Sequence, residues 1–107
     1  MRFFGALLLW LLSATALAAP TWHTSQVERI FLLPNGDFIL VFKQPAPACT
    51  RADKYHHVQE GLGGVSRDGV NAMYAMVLNA ADSGREVSAS FDSDSSNCHI
   101  NKLYVQF

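Results

Sequence analysis

A mainly β domain with one helix is predicted by three observations. Two β-rich segments, residues 27–33 and 37–43, flank Pro34-Asn35-Gly36. Residues 68–83 repeat their apolar side chains at helical spacing. Residues 87–91 and 99–107 alternate apolar and polar side chains, as half-buried strands do. With a weak strand near residues 55–58, the order is strand, strand, strand, helix, strand, strand. That is the chain order of an OB-type five-stranded barrel. An open α+β sandwich with the helix on one face fits less well.

The first two strands are joined by the strongest local signal. Proline presets φ for a type I turn, asparagine tolerates the next position, and Gly36 accepts positive φ. The second strand is apolar on both faces, with Phe38, Leu40 and Phe42 on one and Ile39 and Val41 on the other. One face is expected to meet the core and the other a helix or another subunit. Pro45 and Pro47 make residues 44–48 a loop, and Gly61, Gly63 and Gly64 make residues 60–68 a chain reversal.

The helix carries Val70, Met73, Tyr74, Val77, Leu78 and Ala81 at i, i+3, i+4, i+7, i+8 and i+11. Ser66 or Asp68 can cap its start, and Gly84 stands where a left-handed cap is needed. Its other side, with Ala72, Ala75, Met76, Asn79 and Ala80, has few charges. Either the helix lies deep in the monomer, or Ala72, Ala75, Met76 and Asn79 face a neighbouring subunit.

The start of the chain reads as an export signal, residues 1–18, leaving residues 19–107 as one OB-like domain. Arg2 supplies a charge, residues 3–12 are almost wholly apolar, and Ala16-Leu17-Ala18 has the small side chains that signal peptidase requires. About 10–15 apolar residues fall short of the ~20 that span a bilayer. The expected location is the periplasm or the exterior. There, Cys49 and Cys98 read as a disulfide, closing a loop of about 50 residues and removing roughly 4 kcal/mol of unfolded-chain entropy. Two thiolates on a metal is the alternative, but no zinc-finger spacing accompanies them.

Without Arg2 the 8 basic residues become 7, against 9 acidic. That balance argues against nucleic-acid binding, which calls for a basic face. No reaction has a fingerprint here. Ser, His and Asp occur without a Gly-x-Ser-x-Gly elbow, and the carboxylates show no paired catalytic spacing. His56-His57, adjacent in a strand, point to opposite faces and read as a surface strand end. Asp92-x-Asp94-x-Ser96 lacks the glycine and closing glutamate of a calcium loop and reads as a solvated turn. No catalytic residue, metal site or cofactor is expected. Trp22, Tyr55 and Tyr104 lie outside the apolar stripes, where aromatic faces can stack on sugar rings.

Residues 73–87, Met-Tyr-Ala-Met-Val-Leu-Asn-Ala-Ala-Asp-Ser-Gly-Arg-Glu-Val, resemble the helix, glycine turn and strand of the binding (B) subunit of subtilase cytotoxin. That group includes the pertussis-like and typhoid-toxin binding subunits. An aromatic-led helix, a small-residue and glycine stop, a basic or polar residue and a valine-led strand recur in that order. The resemblance extends over residues 25–107. It implies an OB fold, a homo-oligomer of five subunits with helices lining the centre, a catalytic toxin subunit as partner and a sialoglycan pocket on the outer barrel. The family's sugar-contacting serine matches Ser25. Its aromatic after the helix matches Phe91, which lacks the tyrosine hydroxyl, and the loop before the last strand is shorter here. The function expected is an exported, non-enzymatic binding domain for cell-surface glycans. The alternative is a stand-alone periplasmic protein with a structural or protein-binding role and no sugar pocket.

Overall fold

The computed structural model describes residues 20–93 and 97–106. The expected signal peptide lies outside them, as do Asp94, Ser96 and Phe107. Five strands and one helix follow in order: β1 (Pro20–Leu32), β2 (Phe38–Phe42), β3 (His56–Val58), a 3-10 turn (Leu62–Gly64), α1 (Arg67–Ser83), β4 (Glu86–Asp92) and β5 (Ile100–Val105). The strands form one antiparallel sheet in the order β3-β2-β1-β4-β5. The sheet is not closed by a ladder. β3 meets the segment before β5 through one backbone hydrogen bond, from His57 N–H to the Asn97 carbonyl at 3.3 Å.

The first strand is longer than predicted. Its residues 27–32 pair with β2, and its residues 20–26 pair with β4. The earlier half escapes an apolar-periodicity reading because its inward positions carry His23 and Ser25 rather than aliphatic side chains. A register shift between Val27 and Arg29 marks where the strand changes partner. The hairpin turn forms as expected. Leu33 N–H bonds the Asp37 carbonyl at 2.8 Å, Gly36 N–H bonds the Leu33 carbonyl at 3.0 Å, and Gly36 has φ +96°.

Alternation decides which side chains enter the core. Phe38, Leu40 and Phe42 from β2, Val87, Ala89 and Phe91 from β4, and Ile100 from β5 are buried together. On the opposite face of β2, Ile39 is half-buried and Val41 buried; Phe31, in register with Ile39, packs on Tyr55. The helix covers the core face, where Tyr74 meets Phe38 edge-on at 5.4 Å. Gly69 N–H donates to the Ser66 hydroxyl at its start, and Gly84, φ +73°, closes its end.

The buried helix edge is rotated from the predicted stripe. Val70, Val77 and Ala80 are buried, with Met73 and Tyr74 packed beside them. Leu78 and Ala81, assigned to the core, face solvent. Ala80, assigned to the far side, lies against the sheet, where its single methyl lets the backbone approach closely. The helix therefore sits on the core rather than deep in it.

Cys49 and Cys98 form a disulfide with Cα atoms 5.7 Å apart. It ties the β2–β3 connection to the approach to β5. Asp37 makes a second tie. Its carboxylate accepts from Arg67 Nη2 at 2.7 Å, Asn35 Nδ2 at 3.0 Å and Glu60 N–H at 3.2 Å, and Arg67 Nη2 also reaches Glu60 at 3.1 Å. Burial raises the Asp37 pKa, but the bonds from Glu60 N–H, Arg67 and Asn35 together outweigh it and hold the carboxyl below the usual 3.8. A Cβ at Gly36 would stand 2.9 Å from Arg67 Nη1, so the turn glycine also makes room for this guanidinium. Among the described residues, no helix is long and apolar enough to cross a membrane.

Candidate functional site

Three strands build a polar outer face opposite the core. Because β1, β4 and β5 are in register, Trp22, Ser90 and Lys102 form one cross-strand row, and Thr24, Ser88 and Tyr104 form the next. Trp22 and Tyr104 sit on strands either side of β4, and their rings meet across it at 5.6 Å and 51°. They are 49% and 48% exposed, so about half of each side chain stands in solvent. In register with Tyr104, the Thr24 and Ser88 hydroxyls share a 2.7 Å hydrogen bond. Ser90 Oγ is buried with no hydrogen-bond partner among the described residues.

Beside Tyr104 lies a cleft of about 170 Å³ lined by Thr24, Arg85, Glu86, Ser88, Tyr104 and Gln106. That is below the ~300–1,000 Å³ of pockets enclosing drug-sized ligands, and suits one ring resting on a surface. The lining combines hydroxyls, an amide, a carboxylate and a guanidinium with an aromatic edge. Such a set can exchange hydrogen bonds with a polyhydroxylated ligand while the apolar face of a ring stacks on the aromatic.

The two residues matched to a family sugar pocket are placed differently. Phe91 is 0% exposed and meets His56 edge-on at 4.8 Å inside the core, where no sugar reaches its ring. Ser25 is 2% exposed, and its hydroxyl donates to the Gln26 carbonyl at 2.9 Å and accepts from Gln44 N–H at 3.0 Å. It holds the start of the β2–β3 loop against β1. Both side chains point inward from paired strands, but Phe91 is in register with Thr21 and Ser25 with Val87. That separates them by four residues, about 13 Å. They do not converge on one site.

The four residues expected at an oligomer interface share the outward side of the helix. Ala72, Ala75, Met76 and Asn79 are all exposed, Met76 by 40%, and Leu78 adjoins them. Tyr55, the third stacking candidate, packs on Phe31 instead.

The histidine pair corrects an expectation. His57 is half-buried, but His56 is wholly inside the core rather than at a surface strand end. Its ring fills the space between Phe42 and Phe91. Among the described residues, no three His, Cys, Asp or Glu side chains gather where they could hold a metal ion. Sequence reading singled out Trp22 and Tyr104 separately. It missed the hydroxyl row and the cleft beside Tyr104, because the pairing of Thr24 with Ser88 depends on β1 extending back to residue 20. Compared with protein-family models, curated proteins and solved structures, the chain matches none.

Proposed function

We propose that this protein is an exported, non-enzymatic binding domain that takes a sugar on the outer face of β1, β4 and β5. The observation that carries this reading is the half-exposed Trp22–Tyr104 pair beside a hydroxyl-lined cleft. An aromatic face and clustered hydrogen-bonding groups are what a pyranose needs. The disulfide suits an oxidising compartment. The sheet order and the approach of β3 to β5 favour a partly open OB-type barrel. In this reading the chain is akin to toxin binding subunits, the site lies at Trp22 and Tyr104 instead of Ser25 and Phe91, and copies pack through Ala72, Ala75, Met76 and Asn79. A ring of five serving a catalytic subunit is the full form of the proposal.

A glycan array probed with protein beginning at Ala19 tests the binding function. Tyr104→Ala and Trp22→Ala should each abolish or strongly weaken any sugar signal while leaving the far-ultraviolet circular dichroism unchanged. Signal retained in both variants rejects the site, and no signal for the wild type rejects the function. Solution mass tests the assembly. Met76→Glu puts a carboxylate where an interface would bury it unpaired, and should return an oligomer to monomer. A wild type that is monomeric at tens of micromolar rejects the ring. The alternative, a periplasmic protein with a structural or protein-binding role, draws on the inward placement of Ser25 and Phe91. It is favoured if glycans fail and the protein remains in the periplasm.

A further inference from the structure

His56 is a titratable group without a surface. It is 0% exposed and sits edge-on to Phe42 at 5.1 Å and Phe91 at 4.8 Å. Its Nδ1 faces the Cys98 carbonyl at 3.1 Å; a carbonyl only accepts, so the ring hydrogen is on Nδ1. Nε2 has no hydrogen-bond partner among the described residues. A second proton would have to reside there, between two phenyl rings. The charges acting on the ring come from His23 on β1, His57 on its own strand and Lys54 in the loop before it; none is a carboxylate. Phe42 from β2, Phe91 from β4 and the disulfide-bonded Cys98 before β5 bring no ionisable group.

The strand that carries His56 is also the least anchored. β3 has three residues and ladders only with β2. Its other edge meets residues 97 and 98 through the His57 N–H and ring, both facing the Asn97 carbonyl at 3.3 Å, and through His56 itself. We propose that the β3–β5 seam is an acid-operated joint: a proton on His56 Nε2 expels β3 from the core, while the β1–β4 ladder stays paired. The disulfide keeps Cys98 attached to Cys49, so the joint swings without releasing the chain.

Burial pushes the His56 pKa down to about 4 from 6.5, over the upward pull of the Cys98 carbonyl, with smaller downward contributions from His23, His57 and Lys54. The open form therefore takes up the proton first. Closure is favoured most above pH 6.5, weakens as pH falls from 6.5 towards 4, and gains nothing from the neutral ring below that. The opening equilibrium should shift by roughly 300-fold across this window.

Native-state hydrogen exchange, corrected for intrinsic rates, reads the shift at the His57 amide between pH 7 and 4. Protection there should fall about a hundredfold or more, with β1–β4 amides unaffected, and His56→Phe should remove the dependence. Protection that stays flat to pH 4, or falls equally in His56→Phe, overturns the joint. If His56→Phe does not fold, the His56 imidazole followed by NMR in the wild type decides. Titration in step with seam opening supports the proposal; a ring titrating near 6.5 with the seam closed, or a seam opening without it, rejects it.

Discussion

The two wings of the sheet are held by different forces. On one side, β1 pairs with β4 over residues 20–26, and β4 pairs with β5 along most of its length. On the other, β2 supports a third strand of only three residues. Where the ladder runs out, other ties take over: the disulfide, the buried Asp37 with Arg67 and Glu60, and the His56 contact to Cys98. The long-ladder wing leaves its outer face free of structural duty and carries the aromatic cleft. The short-ladder wing uses its polar side chains to stay closed. Polar residues in the two wings therefore carry different meanings.

Three variants can break this contrast. The largest effect should come from Cys49→Ala with Cys98→Ala. Losing the disulfide should cost about 2–5 kcal/mol, read by urea unfolding, with β3 amides losing protection before those of β4. Equal loss in both wings would remove the contrast. Asp37→Asn comes next, at about 1.5–3 kcal/mol near neutral pH, because a buried acceptor of charge-assisted bonds is weakened. Since the folded carboxyl has its pKa below 3.8, its contribution is complete well above that value and disappears as pH falls through the folded pKa. Melting curves of Asp37→Asn and wild type should therefore converge in strong acid. Tyr104→Ala should cost least, about 0.5–1.5 kcal/mol from the lost ring pair, because its face is already half in water. A cost above 3 kcal/mol would make Tyr104 a structural residue rather than a free platform.

Legibility cut across the two wings and followed local stereochemistry instead. The Pro34-Asn35-Gly36 turn, the Ser66 and Gly84 caps, the β4 and β5 alternation and the cysteine pair were readable because each rests on local stereochemistry or on an even cysteine count in a chain read as exported. The first half of β1 was not, because His23 and Ser25 face inward without being apolar. His56 was hidden for a related reason: its neighbours Phe42 and Phe91 come from strands far away in sequence, and only pairing brings them to its ring. Ala80 misled because helical periodicity ranks by hydrophobicity, while close approach to a sheet selects small size. Of the candidate site, the aromatic residues were visible individually and their convergence was not.

The divided first strand also shapes how the chain must fold. Its second half can zip to β2 within a few residues, through a three-residue turn. Its first half waits for partners such as Ser88, 64 residues further on from Thr24. That loop-closure entropy is lost before any contact repays it, which places the chain among slow folders, in milliseconds to seconds rather than microseconds. During synthesis the segment from Pro20 to Gln26 emerges long before its partner, so its strand edge stays open until β4 has been made. The polar side chains that concealed this strand from pattern reading also keep that open edge from attracting other chains while it waits.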